Sequence, residues 1–578
     1  MVVLPLAEMV AREVFRTGIP ASQPIVQHLV LWVGFLGAAL AARDGRLLAL
    51  ATGEFLPEGR VREWAKVIAS AVGAGVATLL ACAAFSLVST EREAGDRLAA
   101  APLWVVLLVL PISFALIAWR LVRRSGARPT TRAIAALGVG AGLLLGAKPE
   151  WLENHAAWPG LLIVAAATAL GAPLFAALGG AAVLLFMAEG VPIAAVPSET
   201  YRLAVNPALP AIPLFTLTGF VLAEGKAPQR LLRLFRALFG WVPGGTAVMC
   251  VVLSAFFTTF TGGSGVTILA LGPFLYKALR ADGYSERFSI GLLTASGSLG
   301  LLFPPSLPMI LYGIVGRVPI TDLFRGGQLP GWIMLLIAAG LGVREGRRAQ
   351  TTRVGFDGRE ALSAVWGSKW ELLLPLIVLF GLFSGLTTIV EASALTAACA
   401  LIVQCGIYRD LGWGRDLWGV LWRSALLVGG VLIILGVAVG LTSYLVDAQV
   451  PTHLLDWTRQ HVHSKYVFLL GLNLFLLLCG CLMDIFSAIA VVVPLIAPLG
   501  LAFGIHPVHL GVIFIANLEL GYLMPPVGLN LYLASYRFEK PILQTYRAVL
   551  PMLLVLLCGV LLITYVPLLT TAFLGGGG

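Results

Sequence analysis

A few polar side chains stand inside long apolar stretches of this sequence, and their types could do chemistry. They carry hydroxyl, amide and carboxylate groups: Ser264, Ser296, Ser298, Asp484, Asn517 and Glu519. Oxygen atoms of this kind, together with backbone carbonyls, can coordinate a sodium ion within a membrane protein. The sequence holds no HExxH spacing and no paired nucleophile and base, so it indicates binding and not catalysis. No cofactor is predicted.

The same short pattern, Gly-x-x-x-Pro-Pro, ends two of these stretches. It occurs at Gly300 with Pro304-Pro305, and again at Gly521 with Pro525-Pro526, roughly 220 residues later. Both stretches are apolar segments interrupted by small and polar residues. The sequence therefore predicts an internal repeat.

Each Pro-Pro pattern follows a second interruption of an apolar run, at residues 262–265 and 484–487. Proline removes a backbone donor and stops a helix, and glycine lets the chain leave helical geometry at little cost. In a bilayer such breaks are tolerated where the freed backbone groups are buried in protein or face water. Two matched breaks predict a binding site near the middle of the membrane, for sodium on carbonyl oxygens and for an anion on half-helix amino ends. Ordinary proline kinks are the alternative interpretation.

The polar residues also have purely structural interpretations. Glu519 could lock two helices by a hydrogen bond or an ion pair, and a serine within a helix commonly bonds to its own backbone. Ser264 is less open to that interpretation, because the sequence Gly-Gly-Ser-Gly cannot form a regular helix.

The elements that must position these residues are membrane-spanning helices. Hydrophobic residues make up 59% of the 578 residues and charged residues only 12%, and apolar runs of about 18–25 residues recur along the chain. The net charge of +10 comes from basic clusters between these runs, which is the positive-inside pattern and not a nucleic-acid surface. The fold class predicted is an all-α polytopic membrane protein, with no nucleic-acid partner.

Four spanning segments are predicted in the first region, near residues 26–43, 65–88, 102–123 and 131–148. Residues 1–16 are too short to span, so either they lie at the membrane interface or the start of the chain is placed late. Residues 226–241 form a basic amphipathic segment, which predicts an interfacial helix. A connector with a solvated charged face is the alternative.

From about residue 155 the sequence resembles the large membrane subunit of tripartite ATP-independent periplasmic (TRAP) transporters. The matching stretches are GSLGLLFPPS at 297–306, TIVEAS at 388–393 and NLELGYLMPPVGLN at 517–530. The first region resembles the small subunit of the same systems, through LWVGFLGAALAARDG at 31–45. The resemblance implies a natural fusion: a small-subunit-like domain at 1–130 whose first helix is cut short, a connecting helix and linker at 131–154, and a large-subunit-like domain at 155–578 with repeats at about 210–345 and 425–572.

The resemblance also implies an architecture and a function. The architecture has about 15 transmembrane helices or hairpins, including two helical hairpins and two broken helices, arranged as in elevator-type ion transporters. The function is sodium-coupled secondary import of a small organic anion (a dicarboxylate, keto acid or sugar acid) across the bacterial inner membrane. A periplasmic substrate-binding protein would deliver the anion, and Na⁺ and membrane lipids complete the expected partners.

By the same resemblance, individual residues acquire roles. One sodium site would use Gly262, Gly263, Ser264, Gly300, Phe303 and Pro304, a second would use Asp484, Ser487, Gly521, Met524 and Pro525, and the substrate would contact Ser264, Ser296, Asn517 and Glu519. A stand-alone sodium- or proton-coupled carboxylate symporter or antiporter, working without a receptor, is the alternative. An intramembrane enzyme using Glu519, Asp484 or a histidine is not favoured, because the sequence shows no nucleophile–base pair and no metal-ligand spacing.

Overall fold

The chain is folded almost entirely as α-helix in a computed structural model that describes residues 1–49, 59–99, 101–349, 355–525 and 527–574. Within these ranges the only sheet is a two-stranded antiparallel pair, β1 (Arg97–Leu98) and β2 (Ala101–Pro102). The all-α polytopic fold predicted from composition is confirmed.

In its described residues the first region contains six α-helices. They are α1 (Val3–Phe15), α2 (Ser22–Asp44), α3 (Arg60–Ala94), α4 (Leu103–Leu107), α5 (Val109–Arg124) and α6 (Pro129–Ala147). Helix α1 is amphipathic and too short to span, and it leaves Val3, Val14 and Phe15 exposed. Its Arg12 pairs with Glu391 in the second region at 2.9 Å.

The second region continues with scaffold helices and then two runs of similar helices. The first part is α7 (Trp158–Ala169), α8 (Leu174–Ala188), α9 (Ala195–Ala204), α10 (Ala211–Glu224), α11 (Ala227–Phe239), α12 (Gly245–Thr261), α13 (Ser264–Ala281), α14 (Glu286–Ser296), α15 (Leu307–Gly316) and α16 (Ile320–Arg348). The second part is α17 (Gly358–Gly367), α18 (Lys369–Phe383), α19 (Ile389–Leu401), α20 (Arg415–Asp447), α21 (Val450–His461), α22 (Lys465–Leu482), α23 (Ile485–Ala502), α24 (Pro507–Gly521), α25 (Leu529–Phe538), α26 (Ile542–Tyr565) and α27 (Leu568–Thr571).

Helices α10–α16 and α20–α26 follow the same order. Each run has an apolar helix, an amphipathic helix, a helical hairpin (α12–α13 and α22–α23), a broken helix (α14–α15 and α24–α25) and a long final helix. The second arms of the hairpins even share a proline at the same place: Pro273 follows Ser264 by nine residues, and Pro494 follows Ile485 by nine. The two halves are therefore built to one plan, although the domain bounds given above stay a prediction.

The charge pattern gives the two halves opposite orientations. Helix α16 ends among Arg344, Arg347 and Arg348, and α20 begins just after Arg409, so both of these ends are cytoplasmic under the positive-inside rule. Following the chain from these ends, the α12–α13 hairpin enters from the cytoplasmic side and the α22–α23 hairpin from the periplasmic side. The sequence spacing alone left this inversion open.

Ten helices of the described chain are long and apolar enough to cross a membrane, or up to twelve if each of two bent pairs counts as one span. Hairpin arms such as α12 (17 residues) and α24 (15 residues) are shorter. The number of about 15 expected from the sequence included such arms, and it is not confirmed.

Small residues join the first region to the scaffold of the second. Helices α2 and α20 pack so closely that a Cβ on Gly37 would lie 2.3 Å from the carbonyl oxygen of Ala425, and one on Gly429 would lie 2.1 Å from the amide nitrogen of Ala38. Close backbone approach of this kind is how membrane helices gain van der Waals contact. The two regions therefore form one packed body at this seam.

Gly429→Ala is expected to destabilise this seam, because the neighbouring atoms are backbone and cannot turn aside. Overpacking of this kind costs about 1–3 kcal/mol. The matched control is Gly430→Ala, since a Cβ on Gly430 meets nothing within 4 Å. Thermal unfolding of the two purified variants in one detergent checks the difference: the midpoint falls for Gly429→Ala only. Equal midpoints would show that the seam is more compliant than this packing indicates.

The basic amphipathic segment near residue 230 is a helix, but its charged face is not simply solvated. Helix α11 buries Leu231 and Leu234, and its Arg230 side chain is 18% exposed. The Arg230 guanidinium pairs with Glu371 at 2.6 Å and with Asp410 at 2.7 Å. Helix α11 is thus anchored by a buried ion-pair cluster to Glu371 of α18 and to Asp410, which lies in the chain between α19 and α20.

Candidate functional site

The first break separates α14 from α15. The chain leaves α14 after Ser296, makes a 3-10 turn at Leu299–Leu302 and becomes α-helical again at Leu307. Ser296 is fully buried, and its hydroxyl donates at 3.5 Å to the carbonyl oxygen of Leu293 in its own helix. This is the structural alternative considered for a serine, and a contact of Ser296 with substrate stays a prediction.

Hydroxyl groups of the first hairpin hold this break. The Thr258 hydroxyl lies 2.8 Å from the carbonyl oxygen of Gly297, and the Thr259 hydroxyl lies 3.0 Å from that of Gly300. A Cβ on Gly300 would stand 2.2 Å from the carbonyl oxygen of Ala255. Glycine is therefore required at this contact. The first hairpin packs on the first break through residues 255–259, and a sodium site between residues 262–265 and Gly300 stays a prediction.

The tip of the first hairpin is a glycine turn that opens α13. Gly262 has φ +65°, and a Cβ there would meet the Leu307 side chain at 2.3 Å. Gly263 is extended, and Ser264 is the first residue of α13. The Ser264 hydroxyl is buried and has no hydrogen-bond partner among the described residues. It lies at the amino end of a helix, where a bound anion or water is favoured.

The second break is closed by contact between backbones. Helix α24 ends at Gly521, and a Cβ on that residue would stand 2.6 Å from the Cα of Gly480 on α22. The Gly528 amide donates to the carbonyl oxygen of Cys481 at 3.1 Å. The hairpin and the broken helix of the second half are thus in direct contact, as the sequence predicted.

Asp484 caps the second arm of this hairpin. One carboxylate oxygen accepts from the amides of Phe486 at 2.9 Å and Ser487 at 3.0 Å, and the other accepts from the Ser487 hydroxyl at 2.5 Å. The Ile485 amide donates to the Tyr522 hydroxyl at 2.6 Å. These three donors fix the orientation of the Asp484 carboxyl group at the hairpin tip.

A small cavity of about 70 Å³ lies against this tip. Its lining includes Gly480, Met483 and Asp484 of the hairpin and Val527 of the second break, and Leu48 faces it from the first region. The cavity is large enough for an ion or one or two waters. Leu48 follows the basic cluster at residues 43–46, so the hairpin tip reaches the cytoplasmic side of the protein.

The remaining residues predicted for sodium lie in the breaks but have other contacts. The Phe303 ring packs edge-on against Trp332 with 5.4 Å between centroids, and Pro304 is buried. The Met524 amide donates to the carbonyl oxygen of Gly521 at 3.0 Å, and Pro525 is exposed. Their carbonyl oxygens, and not their side chains, are the groups that could serve an ion.

The two halves meet through a residue that the sequence analysis did not single out. The Asn530 amide, on α25, donates to the carbonyl oxygen of Thr294 at 3.3 Å and lies 3.5 Å from the Ser298 hydroxyl. A Cβ on Gly265 would touch the Leu533 side chain at 2.8 Å. The start of α13, the first break and α25 therefore converge. Asn530 is the last residue of the NLELGYLMPPVGLN stretch. Its polar side chain in an otherwise apolar segment is the feature by which the sequence could have identified it.

Asn517 belongs to a different cluster. Its amide donates to the side-chain oxygen of Asn473 at 2.6 Å and to the carbonyl oxygen of Ile513 at 2.8 Å. The Thr564 hydroxyl donates to the same Asn473 oxygen at 3.0 Å. These bonds tie α24 to α22 and α26 inside the second half, and a contact of Asn517 with substrate stays a prediction.

Glu519 is the most isolated polar group of the site. It is 2% exposed, and neither carboxylate oxygen has a hydrogen-bond partner among the described residues. It faces the backbone of Leu301 in the first break, whose amide donates to Ser298. Glu519 therefore lies on the side of α24 that faces the first break.

Buried oxygens without partners collect around the breaks. In the described part of the chain they include the side-chain oxygens of Ser264, Asn517, Glu519 and Asn530. Buried polar groups normally have hydrogen-bond partners, so each exception marks a place where a water, ion or ligand can bind. The arrangement is rich in oxygen and can bind a cation at the hairpin tips and a small hydrogen-bonding solute beside α13.

Family profiles match most of the chain. The profile described as the DctQ component of tripartite ATP-independent periplasmic transporters matches residues 1–128, and that of the DctM component matches residues 161–569.

Curated relatives agree with these profiles. The isethionate TRAP transporter permease protein DctMQ of Oleidesulfovibrio alaskensis is 31% identical over 490 residues, which cover 82% of this chain and 75% of that protein. The C4-dicarboxylate TRAP transporter large permease protein DctM of Pseudomonas aeruginosa is 32% identical, over 68% of this chain and 92% of its own length. The sialic acid TRAP transporter large permease protein SiaM of Vibrio cholerae is 31% identical, over 64% and 88%.

An all-helical chain of many spans, similar along most of its length to permeases, is a multi-pass transport protein of the bacterial inner membrane and not an enzyme. The chain belongs to the TRAP transporter family, and it carries the small and the large permease components in one polypeptide. The resemblance identified in the sequence is thereby confirmed.

Proposed function

We propose that this protein is the membrane component of a sodium-coupled importer, which takes up a small organic anion from a periplasmic substrate-binding protein. The observation that carries the proposal is the pair of broken helices whose unpartnered oxygens lie beside two hairpin tips. The names of the relatives support the substrate class, since isethionate, C4-dicarboxylates and sialic acid are all anions.

Sodium coupling is supported by the tip of the second hairpin. The Asp484 carboxyl group accepts three hydrogen bonds, which fix its oxygens beside a cavity of about 70 Å³ that can hold an ion. The anion would bind beside Ser264, Ser298 and Asn530, where the amino end of α13 supplies favourable dipoles. A sodium ion close to a bound anion also reduces the cost of placing that anion in a low-dielectric site.

An elevator movement of the hairpins against α20 is part of this proposal. A cavity of about 1140 Å³ separates α20 from α15, α23 and α24 at the periplasmic end, with Arg317, Thr442 and Asp447 in its lining. The Thr442 hydroxyl donates to the carbonyl oxygen of Ala490 on α23 at 3.1 Å. Free volume beside such a contact gives the hairpin region room to slide while α20 stays packed on α2 and α8.

The test is uptake into proteoliposomes of isethionate, succinate and N-acetylneuraminate, each labelled. Periplasmic substrate-binding proteins of the same organism are each added or withheld, and the sodium gradient is present or absent. Uptake that needs both receptor and sodium supports the proposal. Uptake with sodium or protons alone would favour the stand-alone symporter, and no dependence on sodium would overturn the coupling.

Asp484→Asn is expected to weaken the apparent affinity for sodium at least tenfold, while uptake at saturating sodium stays measurable. Asparagine keeps the size of the side chain and one cap acceptor, but it removes the negative charge that attracts the ion. Asp447→Asn, at the exposed end of α20, is the matched control and should behave as the wild type. Sodium titrations of initial uptake check both variants, and an unchanged curve for Asp484→Asn would remove the second sodium site from this proposal.

A further inference from the structure

The two hairpin tips have the same length but differ at the residue that begins the second arm. In each hairpin two residues separate the arms, Gly262–Gly263 in the first and Met483–Asp484 in the second. Helices α13 and α23 also carry a proline nine residues after their first residue. Gly263 therefore corresponds to Asp484, so the first half has no side chain where the second half has a carboxylate.

The amino end of α23 has acceptors for its first three amides. The amides of Phe486 and Ser487 and the Ser487 hydroxyl donate to the Asp484 carboxylate, and the Ile485 amide donates to the Tyr522 hydroxyl. A carboxylate in this position takes up donors that a helix otherwise leaves free at its amino end. The second tip is thus closed by a group of its own.

The amino end of α13 lacks such acceptors. Its N-cap residue is Gly263, and no side chain caps this helix. Among the described residues the Val266 amide donates to the carbonyl oxygen of Gly263 at 3.2 Å, whereas the amides of Ser264 and Gly265 donate to no group. The Ser264 hydroxyl also has no partner, although Ser264 is only 2% exposed. Three donors are therefore left at this end.

The space in front of α13 can admit a ligand. A Cβ on Gly263 would meet nothing within 4 Å, and Gly263 is half-buried. Side chains lean towards the amino end of their helix, so the Ser264 hydroxyl points to this space. Gly265 lies against Leu533, one turn along α25 from Asn530, whose side-chain oxygen is unpartnered as well. Free donors and open space thus occur together at the first tip.

No basic side chain of the tips or breaks can take the place of these donors. The tips and breaks comprise residues 262–265, 297–306, 484–487 and 521–530, and they contain no lysine or arginine. Charge at this site must therefore be held by backbone amides, hydroxyl groups and the dipole of a helix. The amino end of α13 supplies all three.

We propose that one carboxylate or sulfonate group of the transported acid binds beside Gly263, in the position that the Asp484 carboxylate occupies in the other half. The inference rests on the proposed function, and it adds the residue that leaves the position vacant for substrate. The oxygens of the acid accept from the Ser264 and Gly265 amides and from the Ser264 hydroxyl. Gly263 is thus a specificity-determining residue, because any acceptor on its side chain would compete with the acid.

The first measurement is thermal unfolding of the full chain in detergent with sodium. The probe is the acid, among isethionate, succinate and N-acetylneuraminate, whose receptor-dependent uptake is found. Gly263→Asp supplies a cap of its own, since the backbone at Gly263 is extended and accepts any residue. Its midpoint should lie about 2 °C above that of the wild type, and the acid should raise it no further. Gly263→Asn supplies an acceptor without the charge, so the half-maximal acid concentration should increase at least tenfold while the full shift is still reached.

The second measurement is initial uptake in proteoliposomes with the binding protein and sodium. Gly263→Asp should lose uptake at least a hundredfold. Ser464→Asp is the matched control, because Ser464 is the N-cap of α22, has an extended backbone and makes no side-chain cap bond. Ser464→Asp should transport as the wild type does and keep the response of the midpoint to the acid.

Uptake by Gly263→Asp at the wild-type rate, or a midpoint below that of the wild type, overturns the inference and leaves the proposed function standing. So does a wild type that takes up the acid but whose midpoint the acid does not raise. A wild-type half-maximal concentration for Gly263→Asn shows that no acceptor competes there, and equal loss of uptake from Ser464→Asp shows an effect of added charge alone; either result overturns the inference. Absence of receptor- and sodium-dependent uptake by the wild type overturns the proposed function as well.

Discussion

Gly521→Ala is expected to reduce the initial rate of uptake at least tenfold. A Cβ on Gly521 would lie 2.6 Å from the Cα of Gly480, so the second hairpin and the broken helix must separate to admit it. The atoms that this Cβ would meet all belong to the backbone of α22, so no side-chain rotation can relieve the overlap. The separation would displace Tyr522 from the Ile485 amide at the hairpin tip. Receptor-dependent uptake in proteoliposomes measures the effect.

The control for this prediction lies on the same hairpin. A Cβ on Gly471 of α22 meets nothing within 4 Å, and Gly471 is exposed at the outer surface of the helix. Gly471→Ala should therefore transport as well as the wild type, with a slightly more stable helix. Both proteins must elute as monodisperse species before uptake is compared. A Gly521→Ala protein that transports at the wild-type rate would show that the contact between hairpin and break is not needed for function.

The breaks could be predicted from the sequence because their signals are local. Pro304-Pro305 and Gly300 stop a helix whatever surrounds them, and the Gly-Gly-Ser-Gly turn does the same. Asp484 was detectable because a carboxylate in an apolar run is costly. The structure finds these elements where the sequence placed them, and the contact between each hairpin and its break follows from the repeat.

The roles of individual polar side chains were less predictable. Asn517 and Ser296 looked alike in sequence, but Asn517 bonds to Asn473 and Ser296 bonds to its own helix. Thr258 and Thr259 were missed, because a threonine in an apolar helix commonly bonds back to its own turn and gives no distinct signal. These outcomes depend on which helix face meets which neighbour, and that is decided by packing between residues 39 and 44 positions apart in the sequence.

The same limit applies to charge. The arginines of α11 were read from sequence as one basic face, yet Arg230 is 18% exposed and Arg233, one turn away, is 56% exposed. The exposed fractions of the two side chains differ because their ion-pair partners differ. Arg230 meets Glu371, which is fully buried, and also Asp410 and Gln404, whereas Arg233 meets the exposed Glu360. A long-range pairing of this kind leaves no periodic signal.

Arg230→Ala is expected to be among the most destabilising single substitutions outside the hairpins. It would leave the Glu371 carboxylate buried without its guanidinium, and removing one partner of a buried ion pair costs about 3–5 kcal/mol. The ring of Tyr408, 3.8 Å from the Arg230 guanidinium, would lose a cation–π contact as well. The midpoint of thermal unfolding in detergent should fall by several degrees, on the order of 5 °C or more.

Arg233→Ala is the matched control on the same helix. Its guanidinium makes a bidentate pair with Glu360, which lowers the pKa of that carboxyl group by hydrogen bonding, but both partners are solvated. Water replaces such a pair at little cost, so the midpoint should hardly move. Arg230→Ala combined with Glu371→Gln should recover part of the loss, because the double change removes the uncompensated charge. If Arg230→Ala and Arg233→Ala lower the midpoint equally, burial is not what distinguishes them. If only Arg230→Ala does, the buried ion pair with Glu371 is what fixes α11, and with it the start of the first hairpin, to α18.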